Sequence, residues 1–309
     1  MLLEVQARSM RLFVEPATVD RIFVIDNSVT GLGNRRRRRL LREYGSLAPH
    51  VTVLRTRALV DAGSATGWRS QQAAKLAIAG SIRTPHYVVL DAKNHFTRPV
   101  RASDFIGTDG RAHGRSHPYT THPLRPSLHT TLRYVGASAE QIELAIMNFP
   151  PTATPFVFST PLVQEMMADI ESRSGLPFGE EFERQNLLEF FLYSGWVDVR
   201  GPGLTTTIDQ QSLPSPTVWP IIGTVEGLRA TINEAAREGA FVFAVHRQAL
   251  VHADRAMRTL LVEHWVRLGL FDRRRDASTT ITRFRLAYAP AMAWTRLIER
   301  AHRCRQRRP

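Results

Sequence analysis

Cysteine is all but missing from this 309-residue chain. Its one example, Cys304, excludes an internal disulfide framework and a thiolate zinc site, and a lone thiol fits a reducing cytoplasm. Lysine is nearly as scarce: only Lys75 and Lys93 stand among 41 basic residues, the rest being arginine. No stretch approaches the roughly 18 consecutive apolar residues expected of a membrane-spanning helix. The N-terminal MLLEVQARSMRLF has a glutamate within its first four residues and no small-residue cleavage site, so it does not read as a signal peptide. Zinc-finger, RNP and basic-zipper signatures are missing too. The run Arg35–Arg39 lacks interleaved aromatics, so specific nucleic-acid recognition is not expected.

The chain does carry a net charge of +13 and a hydrophobic content of 43%. The charge draws polyanions such as nucleic acid, anionic lipid or phosphorylated substrates, although an arginine-biased coding sequence raises charge without assigning a role. The apolar content is enough for one large α/β domain. Strand-like and helix-like segments alternate at first: RIFVID (21–26) as a strand covered on both faces, RRRRRLLREYG (35–45) as a helix stopped by Gly45, and VTVL (51–54) as a strand. GWRSQQAAKLAIAG (67–80) follows as a helix with Ser64 and Thr66 as candidate caps, and then HYVVLD as a third strand. That order predicts a mostly parallel sheet with right-handed crossovers. Residues 107–137 read as a long connection. Beyond it, 154–160 and 240–246 read as strands, and 161–175, 180–196, 225–239 and 254–270 as helices. The expected architecture is one mixed α/β domain over 1–270 and a basic helical extension over 271–309.

Ligands of open α/β sheets bind outside the carboxyl ends of the strands. Asp26, Asp91 and His246 each close an apolar run there. Trp68, Gln72 (or Gln71) and Lys75 share one helix face, a mixture unusual for a helix packed on a sheet, although a partly exposed helix with a snorkelling lysine would read the same way. Glu189 is a lone acid in the apolar LLEFFLYSGW, where burial would raise its pKa into the range useful to a general base; pairing with an arginine is the alternative. Tyr193, four residues on, is placed to support Glu189 or to meet an acceptor.

The blocks GWRSQQAAKL, YVVLDAKNHF, TPFVFST, EFFLYSGW and FAVHRQAL, in that order, resemble a bacterial family of predicted GT-A-type glycosyltransferases, nucleotide-diphospho-sugar transferases associated with surface polysaccharides. The resemblance spans about residues 10–270. It implies a Rossmann-like GT-A sheet, a nucleotide-sugar donor whose diphosphate sits at the DAKN turn, and a glycan or lipid-linked acceptor. It also implies Glu189 as the acid of an EFxLY block. GT-A enzymes commonly place Asp-x-Asp at that turn to hold Mn²⁺ or Mg²⁺. Here Asp91 is followed by Lys93, a cation that disfavours a metal and can face the diphosphate itself. Asn94 is suited to a sugar or ribose hydroxyl, His95 is expected to point to the opposite face, and His246 is suited to phosphate or, with Asp91, to a metal. GT-A folds normally open on a strand, whereas this sequence opens on a helix-like segment, and with the incomplete Asp-x-Asp this leaves an inactive GT-A-like scaffold as one alternative; the Arg35–Arg39 run and the basic charge leave a basic nucleic-acid-binding protein as another. Trp294, Leu297 and Ile298 give the basic C-terminus an amphipathic character suited to peripheral contact with an anionic membrane.

Overall fold

The computed structural model describes residues 1–28, 30–60 and 68–288. Ser64, Thr66, Cys304 and the segment holding Trp294, Leu297 and Ile298 lie outside the described residues. The architecture is mixed α/β, with short strands and helix in excess, and the described C-terminal region is helical.

Contacts divide the chain into two compact units, where the sequence suggested one domain and a tail. A major unit takes Val14–Asp91 and Val100–Leu213; a minor unit takes Met1–Phe13, Ala92–Pro99 and the chain from Pro214 onward. The expected extension from 271 begins inside the minor unit's core. The helical stretch over residues 274–288 buries Ala277, Ile281 and Phe284, spaced as one helix face, in the same cluster as Leu261 and Trp265.

In the major unit, Ile22–Asp26 and Val51–Arg55 pair in parallel, in register from Ile22↔Val51 to Asp26↔Arg55, with the helix Asn34–Tyr44 as the crossover. Burial along Ile22–Asp26 alternates, so this strand has one covered face and not the two its apolar run suggested. His86–Val89 departs from the parallel expectation: it pairs antiparallel with Phe156–Ser159, and Tyr87 stacks on its cross-strand partner Phe158 at 5.2 Å. Two helices, Arg125–Val135 and Ala139–Met147, occupy part of the expected loop and its continuation. The single helix expected over 180–196 is two, Phe178–Arg184 and Glu189–Val199, with Asn186 between them in the left-handed region at φ 59°.

In the minor unit, the fully buried strand Val242–Val245 is central, flanked by Asn94–Phe96 antiparallel and Thr217–Val218 parallel. The helix Leu2–Phe13 lies along Asn94–Phe96: Gln6 Nε2 donates to the Asn94 carbonyl at 3.2 Å, and Ser9 Oγ accepts the Phe96 amide at 2.9 Å. Those bonds satisfy backbone groups that an edge strand would otherwise leave open. No described helix is long and apolar enough to cross a membrane.

Candidate functional site

Three residues from separate parts of the sequence meet in the major unit. Lys75, on the helix Trp68–Ala77, places Nζ 2.9 Å from Asp91 Oδ1 and 3.0 Å from Glu189 Oε1. The backbone explains the meeting. Asp91 follows the end of His86–Val89, and the Tyr87 hydroxyl from that strand donates to the Lys75 carbonyl at 2.9 Å. The break at Asn186 makes Glu189 the first residue of its helix rather than an interior one, so its carboxylate sits at the positive end of the helix dipole. Arg69 Nη1 donates to the Leu187 carbonyl at 3.1 Å, tying the Lys75 helix to that break.

The electrostatics follow from burial and pairing. Burial works to discharge Lys75, but Glu189 and Asp91 outweigh it and hold the ammonium's pKa above the usual lysine value. Burial pushes the Glu189 carboxyl up, against the pull of Lys75, and the neighbouring charge of Asp91 adds to the rise. Glu189 is only 5% exposed, whereas the Asp91 side chain keeps 33% of its surface in solvent. The Phe190 ring lies 5.2 Å from Lys75 Nζ and completes the wall. The sequence reading did not single out Phe190, although its place beside Glu189 in an aromatic run was the available signal.

The other candidates of the major unit divide. Gln72, one turn before Lys75, is buried, and its Oε1 has no hydrogen-bond donor among the described residues. Trp68 is 61% exposed at the start of the helix, so the expected mixed face is split between core and solvent. Tyr193 is corrected: its hydroxyl accepts the Ser159 amide at 3.1 Å and its ring packs edge-on to Phe158, which makes it a core residue with its polar end satisfied. Burial raises its pKa to about 12. Asp26 closes its strand as read, but its carboxylate is turned onto its own loop. It accepts the Ser28 hydroxyl at 2.6 Å, the Ser28 amide at 3.0 Å and the Leu32 amide at 2.6 Å, with Arg55 Nη1 at 3.9 Å. Burial works to raise its pKa, and the Ser28 and Leu32 bonds with Arg55 more than offset it. Gly31, at φ 81°, leaves the space that the Arg55 guanidinium fills.

Lys93, Asn94 and His246 belong to the minor unit, the chain passing from one unit to the other between Asp91 and Ala92. Lys93 Nζ lies 5.7 Å from the centre of the Trp219 ring, and the same ring meets His246 at 5.4 Å. His246 ends its strand as expected and caps the next helix, Nδ1 accepting the Gln248 amide at 3.2 Å. Trp219, 48% exposed, was not singled out because it lies in the proline-rich SPTVWPII. Asn94 is corrected from turn to strand: it is buried, and Nδ2 donates to Ser215 Oγ at 3.3 Å. His95 faces the other way, as its alternation predicted, and accepts Trp265 Nε1 at 3.2 Å.

The family described as "Family of unknown function (DUF6492)" matches residues 3–305. The chain belongs to that family. No curated protein matches it. The match therefore takes in both units and names no activity for members of DUF6492.

Asp91 Oδ1 faces the Lys75 ammonium at 2.9 Å, and no group of three or more His, Cys, Asp or Glu side chains that could hold a metal ion occurs among the described residues.

Proposed function

We propose that the chain is a glycosyltransferase, hexosyltransferase-like, that moves a sugar from a nucleotide-sugar donor to a glycan or glycoconjugate acceptor, with a GT-A-like organisation of the sheet that carries Asp91. The observation that carries this reading is the Lys75–Asp91–Glu189 cluster, in which an ammonium from a helix bridges a carboxylate at a strand end and another at a helix start. Asp91 and Glu189 have different parts. Asp91, the more exposed, is the carboxylate that meets substrate; Glu189, buried against Lys75, is a positioning residue. In the reaction the acceptor oxygen bonds to the anomeric carbon as the bond from that carbon to the diphosphate oxygen breaks. The hydroxyl proton passes to Asp91, and the nucleoside diphosphate leaves with the bonding pair. Lys75 has three N–H donors, two of them engaged by the carboxylates, and the third is suited to an oxygen of the departing diphosphate. No step runs through a metal. Lys93 and His246 are suited to anion contact on their own unit, and peripheral contact with an anionic inner membrane surface would bring lipid-linked acceptors within reach.

Calorimetric titration with UDP-, GDP-, CMP- and dTDP-sugars, with and without EDTA or Mn²⁺, tests the reading. At least one donor should bind, Lys75→Met should weaken it, and Asp91→Asn should slow transfer by about 10²- to 10⁴-fold. Binding by none of them favours the second reading, an inactive scaffold of the same class, for which the depth of Glu189 is the supporting observation. Metal dependence would overturn the charge argument and leave the class standing.

A further inference from the structure

A cavity of about 420 Å³ in the minor unit has no part in the proposed reaction. It is lined by Arg255, Arg258, Arg274 and Arg275, with Thr259 and Ser278. Its volume is within the range of roughly 300–1,000 Å³ typical of small-molecule sites. Two helical segments build it. Arg255, Arg258 and Thr259 lie on one face of the helix Arg255–Arg267, and Arg274, Arg275 and Ser278 open the helical stretch over 274–288. Each segment therefore gives two guanidiniums and a hydroxyl to one concavity.

The charges are not balanced. Glu263 is the only acid in the lining, and it sits 3.4 Å from Arg274. Arg258 donates to the Ala253 carbonyl at 3.3 Å, which leaves its charge uncompensated. The Arg255 and Arg275 guanidiniums have no hydrogen-bond or carboxylate partner among the described residues. An arginine-rich chain exposes many guanidiniums, and here Arg255, Arg274 and Arg275 are exposed while Arg258 is half-buried. Four around one hollow repel one another, and a multiply charged anion between them removes that cost. Guanidinium forks match phosphate oxygens in pairs, and the Ser278 hydroxyl adds a neutral donor, whereas the Thr259 hydroxyl donates to the Arg255 carbonyl at 2.9 Å. The concavity favours a compact anion over a duplex, which would need an extended basic stripe along its backbone.

We propose that this cavity is a binding site for a compact phosphate-bearing anion, either a soluble diphosphate or the phosphate headgroup of a lipid. The test uses the full chain. Pyrophosphate is titrated calorimetrically beside sulfate at matched ionic strength, and vesicles of phosphatidylcholine with or without phosphatidic acid are co-sedimented with the protein. The variant Arg255→Ala/Arg275→Ala changes exposed side chains and should keep the thermal melt of the parent. The proposal expects pyrophosphate or phosphatidic acid vesicles to bind, and the double variant to bind at least tenfold more weakly. Which arm responds identifies the source. Arg255→Lys/Arg275→Lys should recover only part of the loss, because it restores charge without the fork. Sulfate binding as tight as pyrophosphate, affinity unchanged in the double variant, no binding in either arm, or binding only to oligonucleotides with affinity rising with length would each overturn the proposal.

Discussion

In the major unit one buried cluster is ionic: Lys75 stands between Glu189 and Asp91, and its pKa is held up. In the minor unit the buried histidines are neutral. Burial, with His264 nearby, lowers the His95 imidazole to about 3, and burial with Arg267 lowers His264 to about 4. His95 behaves as an aromatic filler bonded to Trp265 Nε1 and to the Lys93 backbone, edge-on to Trp265 and beside Phe243. The difference teaches where to look for chemistry. Neutral rings in a core are ordinary packing, whereas a buried ion pair commonly gives no more stability than apolar residues of the same volume. A cluster of that kind is what a reaction would need and a core would not.

The largest expected effect breaks the charged side of this contrast. Lys75→Met leaves Glu189 buried without its cation and should cost about 3–5 kcal/mol in urea unfolding. Lys75→Met/Glu189→Leu should regain most of that stability. If the cluster serves the proposed transfer, the double variant stays without donor binding; if it is only a strut, nothing beyond stability changes.

Next comes pH, where the two units should respond at opposite ends. The folded pKa of Lys75 is raised, so its contribution is complete below the ordinary value of 10.5 and is lost as pH rises through the folded value. His95 and His264 are depressed from 6.5, so their contributions are present above pH 6.5 and are lost as pH falls toward 3. The two shifts correspond to about 3–5 kcal/mol each as an upper bound. Hydrogen exchange followed by mass spectrometry should show acid loosening peptides around 242–245 and 255–267 first, and alkali loosening those around 68–77 and 189–199. His95→Phe should flatten the acid limb alone.

Smaller effects sharpen the comparison. Trp219→Ala removes an exposed platform under Lys93, and its stability cost should stay within about 0.5–1 kcal/mol, the size of an exposed cation–π contact. Asn186→Gly should raise stability by about 0.5 kcal/mol or less, because glycine takes the left-handed conformation without a Cβ penalty. A thermal melt reads both.

Much of the local structure was legible because apolar runs and glycine stops coincide. Gly45 ends Asn34–Tyr44 and Gly175 ends Thr160–Ser174; the strands 22–26, 156–159 and 242–245 fall inside the runs that predicted them, and 51–55 runs one residue past its run of 51–54. The helices at 125–135 and 139–147 were missed behind a Gly-, Pro- and His-rich stretch. Pro126 in a first turn and the Ser138–Gln141 capping box were signals for them. The antiparallel partner of His86–Val89 was not legible, since pairing over such a separation depends on packing that no window of sequence contains. Lys75, Asp91 and Glu189 were legible as polar groups in apolar surroundings, and their meeting rests on side-chain type surviving where burial is costly. Tyr193 was misread because helical spacing gives a direction and says nothing of which backbone amide waits there. The two-unit division was hidden because the chain crosses between units inside an otherwise continuous strand–turn–strand motif.

The four residues between Arg184 and Glu189 set the position of the acid. The joint is short and not helical, so a deletion in Gln185–Leu188 would draw the Glu189 carboxylate off the ammonium while leaving every side chain of the site in the sequence. Relatives that keep all three residues but differ in the length of this short joint would be matched in composition and mismatched in geometry.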